Sequence, residues 1–286
     1  MAVVLAERRS SSFALWARRL ATFSAVLLVV SSLGHRFGLV ETIPFFWLLG
    51  LVGTLAAAAL LLAGVGFFQL WTYGDRGGIS AAIAALTALV VLSPFGLSAW
   101  RVYAHPRLSD ISTDVADPPP LDAAAGLRTS EMNPVGPISA EDAALQADGY
   151  PDLTGRRYQL SADRVQELAA QLVLANGWTF EQPPSPSLEG GDSFIGALAR
   201  TTFLAFPVDV SIRVTDEGDT TYVDMRSAFR YGRHDFGDNA RRINDFLLAL
   251  DAAVAGAAGL PAATEESPAL PETDVPVPMP AEPPSD

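Results

Sequence analysis

Apolar residues are distributed along this chain in two ways: in long unbroken blocks over the first hundred positions, and at regular spacings afterwards. Positions 45–68 contain no charged residue, and Gln69, Trp71 and Tyr73 follow where an interfacial belt would sit. A membrane-crossing helix needs about 20 such residues, so the pattern predicts spans at 45–70 and at 79–100. The second of these ends in Trp100, Arg101 and Tyr103, and it tolerates Pro94 if neighbouring groups satisfy the freed backbone. An earlier run, 20–33, is about 14 residues long and also fits the core of a signal peptide. Gly34, His35 and Arg36 follow it instead of a small-residue cleavage site, however, and Phe13 and Trp16 extend it backwards past Arg18 and Arg19, which would snorkel. A retained first helix at 13–33 is therefore expected. Gly53 with Ala57, Ala59 with Ala63 and Ala81 with Ala85 offer small faces for helix packing.

Beyond the blocks, periodicity predicts a compact domain at 150–255. Ser161 caps a helix whose apolar stripe is Val165, Leu168, Ala169, Leu172 and Val173, ended by Asn176-Gly177. Trp178 and Phe180 begin a strand, and 194–206 reads as another. In VDVSIRV, Val208, Val210, Ile212 and Val214 alternate with Asp209, Ser211 and Arg213, the mark of a half-buried antiparallel strand. Asp216-Glu217-Gly218-Asp219 is a hairpin turn. The returning strand has Val223, Met225, Ser227 and Phe229 inside and Asp224, Arg226 and Arg230 outside. Pairing Thr215 with Thr220 would set Arg226 opposite Asp209 on a solvated, charged outer face. A last helix buries Ile243, Phe246, Leu247, Leu250 and Val254, with Asp235 or Asp238 as its cap. The expected fold is α+β: a three-helix transmembrane anchor over 1–104, then a small antiparallel-sheet domain with two helices. Positions 105–149 read as an extended linker lying on that domain, and 256–286, rich in Pro, Ala and Glu, as a disordered tail.

Charge sets the orientation. Arg8, Arg9, Arg18 and Arg19 precede the unbroken apolar run at 20–33, whereas the 34–44 loop carries only Arg36 and Glu41. The positive-inside rule then places the N-terminus in the cytoplasm and, after three crossings, the domain in the periplasm of a bacterial inner membrane. Of the 32 acids 29 lie beyond Arg76, with 13 of the 19 basic residues, leaving that part about 16 units negative. Such a field argues against nucleic acid as a partner. Zero cysteines exclude disulfides, thiolate nucleophiles and zinc-thiolate sites. His35, His105 and His234 are too scattered to form a metal set. Asp110, Asp114 and Asp117 lack both EF-hand spacing and its glycine, so Asx-turns are expected there rather than calcium. No residue pattern implies a cofactor. With no acid, Lys or His in the middle of a span, the helices read as an anchor and not a transport path.

The stretch RYGRHDFGDNARRI, 230–243, gathers Arg230, Asp235, Asn239 and Arg242 near a helix start, with Arg226 and Asp209 on the adjacent strands. Helix capping explains the acids and glycines, but leaves the arginines to be explained. A helix N-terminus with free amides is an anion site, so these six residues form a candidate binding cluster for a small anion or lipid headgroup. Ser227, His234 and Asp235 are triad residue types without triad spacing or a nucleophile elbow. The sequence MRSAFRYGRHDFGDNARRI resembles the signature of the domain of unknown function 1499 family: Arg226-Ser227, Arg230-x-Gly232, Asp235-x-Gly237-x-Asn239, then Arg242-Ile243. FPVDVSIRV and LSDISTDVADPPPL resemble two further blocks, so the likeness runs over about 105–255. Ala228 and Phe229 stand where the pattern usually has Arg-Ser, and Val208 precedes a single Asp209 in place of an acidic pair. The resemblance implies a domain without an assigned activity, and implies that 110–120 belongs to it. The expected role is a membrane-anchored binding or interaction module; an enzyme acting on an anionic substrate, or a structural factor with a protein partner, are the competing classes.

Overall fold

A computed structural model describes residues 11–74, 76–184 and 191–259; Arg8, Arg9, Asp75, Pro186 and most of the expected tail lie outside them. Three helices, α1 (Ser12–Arg36), α2 (Thr42–Tyr73) and α3 (Gly78–Ala104), are long and apolar enough to cross a membrane. The chain is accordingly membrane-associated; each helix runs past its predicted C-terminal end, to Arg36, Tyr73 and Ala104, and α2 also starts earlier than predicted, at Thr42. Pro44 falls in the first turn of α2, where its missing amide costs no helical bond. Pro94 lies inside α3, and there the Ser93 hydroxyl donates to the Val90 carbonyl that the proline leaves open, at 2.8 Å. Small residues hold the bundle together: Ala17 and Ala21 of α1 meet Ala59 and Ala63 of α2 and Ala84 and Ala88 of α3. A Cβ on Gly66 would lie 3.1 Å from the Ala14 amide nitrogen, which shows how closely α1 and α2 approach. The buried stripe higher on α2 is Val52 and Ala56, not the expected Gly53 and Ala57, since Ala57 is exposed.

The described residues after α3 form a six-stranded antiparallel sheet with helices, the α+β class expected. Its strands are β1 (Asp110–Ser112), β2 (Arg156–Tyr158), β3 (Thr179–Gln182), β4 (Asp192–Arg200), β5 (Pro207–Asp216) and β6 (Thr221–Phe229), in the order β1-β6-β5-β4-β3 with β2 also on β6. Helices α6 (Ala162–Ala175) and α7 (Asp238–Ala257) cover one face. They bury Val165, Ala169, Ile243, Phe246 and Leu250 against Ile195, Val210, Ile212, Val223 and Met225. Period-two side chains put these residues on one face, and their burial supplies most of the domain's driving force.

Two expectations require correction. The β5–β6 register is two positions away from the one predicted: Asp216 pairs Thr221, so Asp209 lies opposite Ala228 and Arg226 opposite Ser211. The loop closes over 217–220 because Asp216 Oδ1 accepts the Gly218 amide and Gly218 takes φ +88°. The second correction concerns the outer face, which is not solvated: Asp209 and Asp224 are 0% exposed and Arg213 and Arg226 are buried. Residues 113–136 lie over it. Within 105–149 the chain forms β1 and the helices α4 (Asp122–Ala125) and α5 (Ala140–Gly149), and is not simply extended. Gln146 of α5 binds the free edge of β1 in both directions, donating to the Ser112 carbonyl at 2.6 Å and accepting the Ser112 amide at 3.2 Å.

Candidate functional site

On the covered polar face, Arg213 and Asp224 are directly opposed across β5 and β6 and joined by two bonds, 2.9 and 2.8 Å. Asp117 accepts from the same guanidinium at 2.7 Å, while Asp114 closes an Asx-turn on the amides of Ala116 and Asp117. Two positions along, Arg226 binds Asp110 in bidentate fashion (3.0 and 2.7 Å) and donates to the Gly136 carbonyl. The acids of the 110–117 segment thus neutralise sheet arginines, and among the described residues no group of acids and histidines is arranged to hold a metal.

The third cluster centres on Asp209. Its Oδ1 accepts from Arg230 at 2.8 and 2.6 Å, and its Oδ2 from Arg128 at 2.9 and 2.6 Å. Arg230 also donates to Glu181, which sits at a bulge between the pairs Phe180–Ala197 and Gln182–Gly196. Burial pushes the Glu181 carboxyl above its ordinary range, against the pull of Arg230. Arg128 and Asn133, which join this cluster through carbonyls at 133, 228 and 229, escaped sequence reading. The available signal was that Arg128 is the single basic residue between Arg107 and Arg156.

Across the sheet, Asp235 accepts the amides of Gly237 at 3.1 Å and Asn239 at 2.8 Å, and so caps α7; Asp238 instead pairs with Arg241 and Arg101. Burial raises the Asp235 carboxyl, and these two amides pull it back down. Phe236, at φ +55°, and Gly237, at φ +80°, bend the chain into this cap. Asn239 donates to the Ser109 carbonyl, and its Oδ1 accepts from Ser227 and from Arg242. Burial pushes the Arg242 guanidinium down to about 10, and its bonds go to Ser227 Oγ and Asn239 Oδ1, both neutral. Ser227 is therefore committed to Asn239 and Arg242, while His234 Nδ1 accepts the Phe236 amide, so no triad forms.

The six sequence candidates thus separate into three places. Asp209 and Arg230 form one buried pair, Arg226 belongs to another, and Asp235, Asn239 and Arg242 lie beyond the opposite face. The arginines do not converge on the start of α7, whose leading amides are taken by Asp235. An accessible feature lies nearby: a cleft of about 510 Å³ between residues 107–110 and the 133–145 segment. Arg107 and Arg233 line it, both exposed, and among the described residues neither meets a carboxylate within 4 Å. Glu141 and Asp142 lie along the same cleft.

A three-helix bundle carrying an antiparallel sheet sealed by ion pairs defines a membrane-attached α+β protein. Residues 110–250 match the model of a family described as protein of unknown function (DUF1499), and the chain belongs to that family through this domain. Neither a curated protein nor a solved structure matches the chain.

Proposed function

We propose that the protein is a membrane-anchored binding module whose ligand, a small molecule or lipid headgroup with one phosphate or carboxylate, occupies the cleft beside Leu108–Asp110. The observation that carries this reading is the pair Arg107 and Arg233. Arg128, Arg213, Arg226 and Arg230 are consumed by carboxylates, whereas these two face an open cavity. Its volume lies within the ordinary range of small-molecule sites, roughly 300–1,000 Å³. Arg107 follows the end of α3 by three residues, which keeps the cleft near the helix ends. Glu141 and Asp142 disfavour a polyanion and suit a singly charged or zwitterionic group. Arg8 and Arg9 before α1, with Arg18 and Arg19 early in it, support a cytoplasmic N-terminus and a domain on the far side of the membrane, the periplasm in a bacterial cell.

Calorimetric titration of the full chain in nanodiscs with glycerol phosphate tests the reading. Wild type should bind saturably, and Arg107→Gln with Arg233→Gln should weaken binding at least tenfold while leaving the unfolding midpoint unchanged. Equal binding by both proteins, or none by wild type, refutes the site. Reporter fusions after α7 and at the α2–α3 loop test the topology independently, and activity of the far-side reporter at the loop would reverse it.

A further inference from the structure

The 201–206 loop between β4 and β5 reaches back to the anchor. Arg36 Nη1 donates to the Thr202 carbonyl at 2.7 Å, and His35 Nδ1 lies 2.6 Å from the Leu204 carbonyl. Phe206 packs among Phe45, Phe46 and the His35 ring, at centroid distances of 5.7, 5.2 and 5.1 Å. These contacts fix the loop at the level where α1 ends and α2 begins. The loop's own shape is equally fixed: Thr201 and Phe206 exchange bonds through the Thr201 amide and hydroxyl, Arg200 donates to the Ala205 carbonyl, and Ala205 takes φ +56°. Such a conformation in a residue with a Cβ persists only where its surroundings hold it. What the loop presents is Phe203, 87% exposed, the most exposed large hydrophobic side chain among the described residues after α3. Phe37 (72%), Leu39 (83%) and Trp47 (79%), on the adjoining helix ends, are equally bare.

We infer that the 201–206 loop is a lipid-contact element that seats Phe203 in the interfacial layer of the bilayer crossed by the chain's own helices, with Arg36 and Arg200 facing lipid phosphates. The patch is continuous with helix surfaces that must themselves meet lipid. Its charge complements that surface too, because neither arginine meets a carboxylate within 4 Å among the described residues. Aromatic side chains flanked by arginine are the composition that interfaces select. The sheet domain is thereby attached to the bilayer at a second point, far along the chain from the α3 connection.

The absence of cysteine makes the test direct, since one introduced cysteine is a unique label site. Nitroxide labels at Thr202→Cys and Phe203→Cys, with references at Leu39→Cys and Glu217→Cys, are placed in the full chain in vesicles of phosphatidylcholine with phosphatidylglycerol. Collisions with oxygen and with an aqueous nickel chelate are then compared. Labels at 202 and 203 should favour oxygen over nickel as the label at 39 does, several-fold more than the label at 217 on the distal hairpin. Nickel access at both positions like that at 217 overturns the inference. So does shielding from both reagents, the result a covering protein would give. The Thr202 label keeps Phe203 in place, so it decides if the two positions disagree.

Discussion

Replacing Arg213 by methionine removes a charge from a position that alternation alone would call exposed. The aliphatic stem is roughly preserved, so the change isolates the guanidinium. Asp224 then loses both bonds of 2.9 and 2.8 Å while remaining 0% exposed between β5 and its cover. Breaking one side of a buried pair costs about 3–5 kcal/mol, far above the roughly 0–1 kcal/mol of a surface ion pair. In a domain of this size that lowers Tm by on the order of 10 °C. The cost should depend on pH in a defined direction. Burial already raises the Asp224 carboxyl, and losing Arg213 raises it further. A carboxyl whose folded pKa exceeds its unfolded one makes the native state bind the proton more strongly. Its stability is fully present below the unfolded value and is lost as pH rises through the folded one. The variant should therefore be most impaired near neutrality and recover as pH falls towards the ordinary carboxylate range. Hydrogen exchange of β5 and β6 in the full chain, corrected for intrinsic rates, reads this locally. A loss under about 1 kcal/mol would refute the buried pair; a larger loss that is independent of pH would refute the unpaired carboxylate as its cause. Adding Asp224→Leu should return part of the stability.

The cap of α7 discriminates between two acids: Asp235→Ala should cost about 2 kcal/mol in thermal unfolding because two buried amides lose their acceptor, whereas Asp238→Ala should cost under about 1 kcal/mol. Arg226→Lys, which cannot reproduce the bidentate bond to Asp110, should lower the unfolding midpoint, and unchanged stability with altered ligand binding would return Arg226 to the list of binding residues. Gly237→Ala should impair folding of the α7 start, since φ is +80° and the new Cβ would lie 2.7 Å from the His105 ring; an unaltered exchange profile there would contradict the described cap. Intact mass of the membrane-extracted protein should include α1, which packs on α2 and α3, and a mature chain beginning near Gly34 would contradict that packing.

Local periodicity made the spans, α6, α7 and the β5–β6 hairpin legible. The register error left the faces intact because a slip of two positions preserves a period of two, yet it changed every partner: Asp209 met Ala228 instead of Arg226. Alternation in VDVSIRV correctly separated two faces but could not show that the polar one is covered. Its cover, 113–136, has almost no apolar period and is held by charge pairs such as Asp117–Arg213, 96 residues apart. A capping preference for Asp near a helix start was legible, but the choice of Asp235 over Asp238 depends on the bend at Phe236 and Gly237. The candidate arginines were grouped by nearness in sequence, and the sheet placed Arg226 and Arg230 on one side with Arg242 on the other.

The connection from α3 to β1 is five residues, 105–109, under roughly 20 Å of chain even if fully drawn out. It does not hang free: Gly237 lies against His105, and β1 is hydrogen-bonded to β6. The domain therefore has almost no radius of action. It cannot sweep the aqueous space for a partner as a module on a long tether would, and tilting any of its helices must tilt the sheet as well. Whatever it meets has to arrive at one fixed height above the helix ends and in one orientation. This favours molecules that diffuse in two dimensions, or surfaces carried by other membrane proteins, over solutes encountered deep in the surrounding compartment.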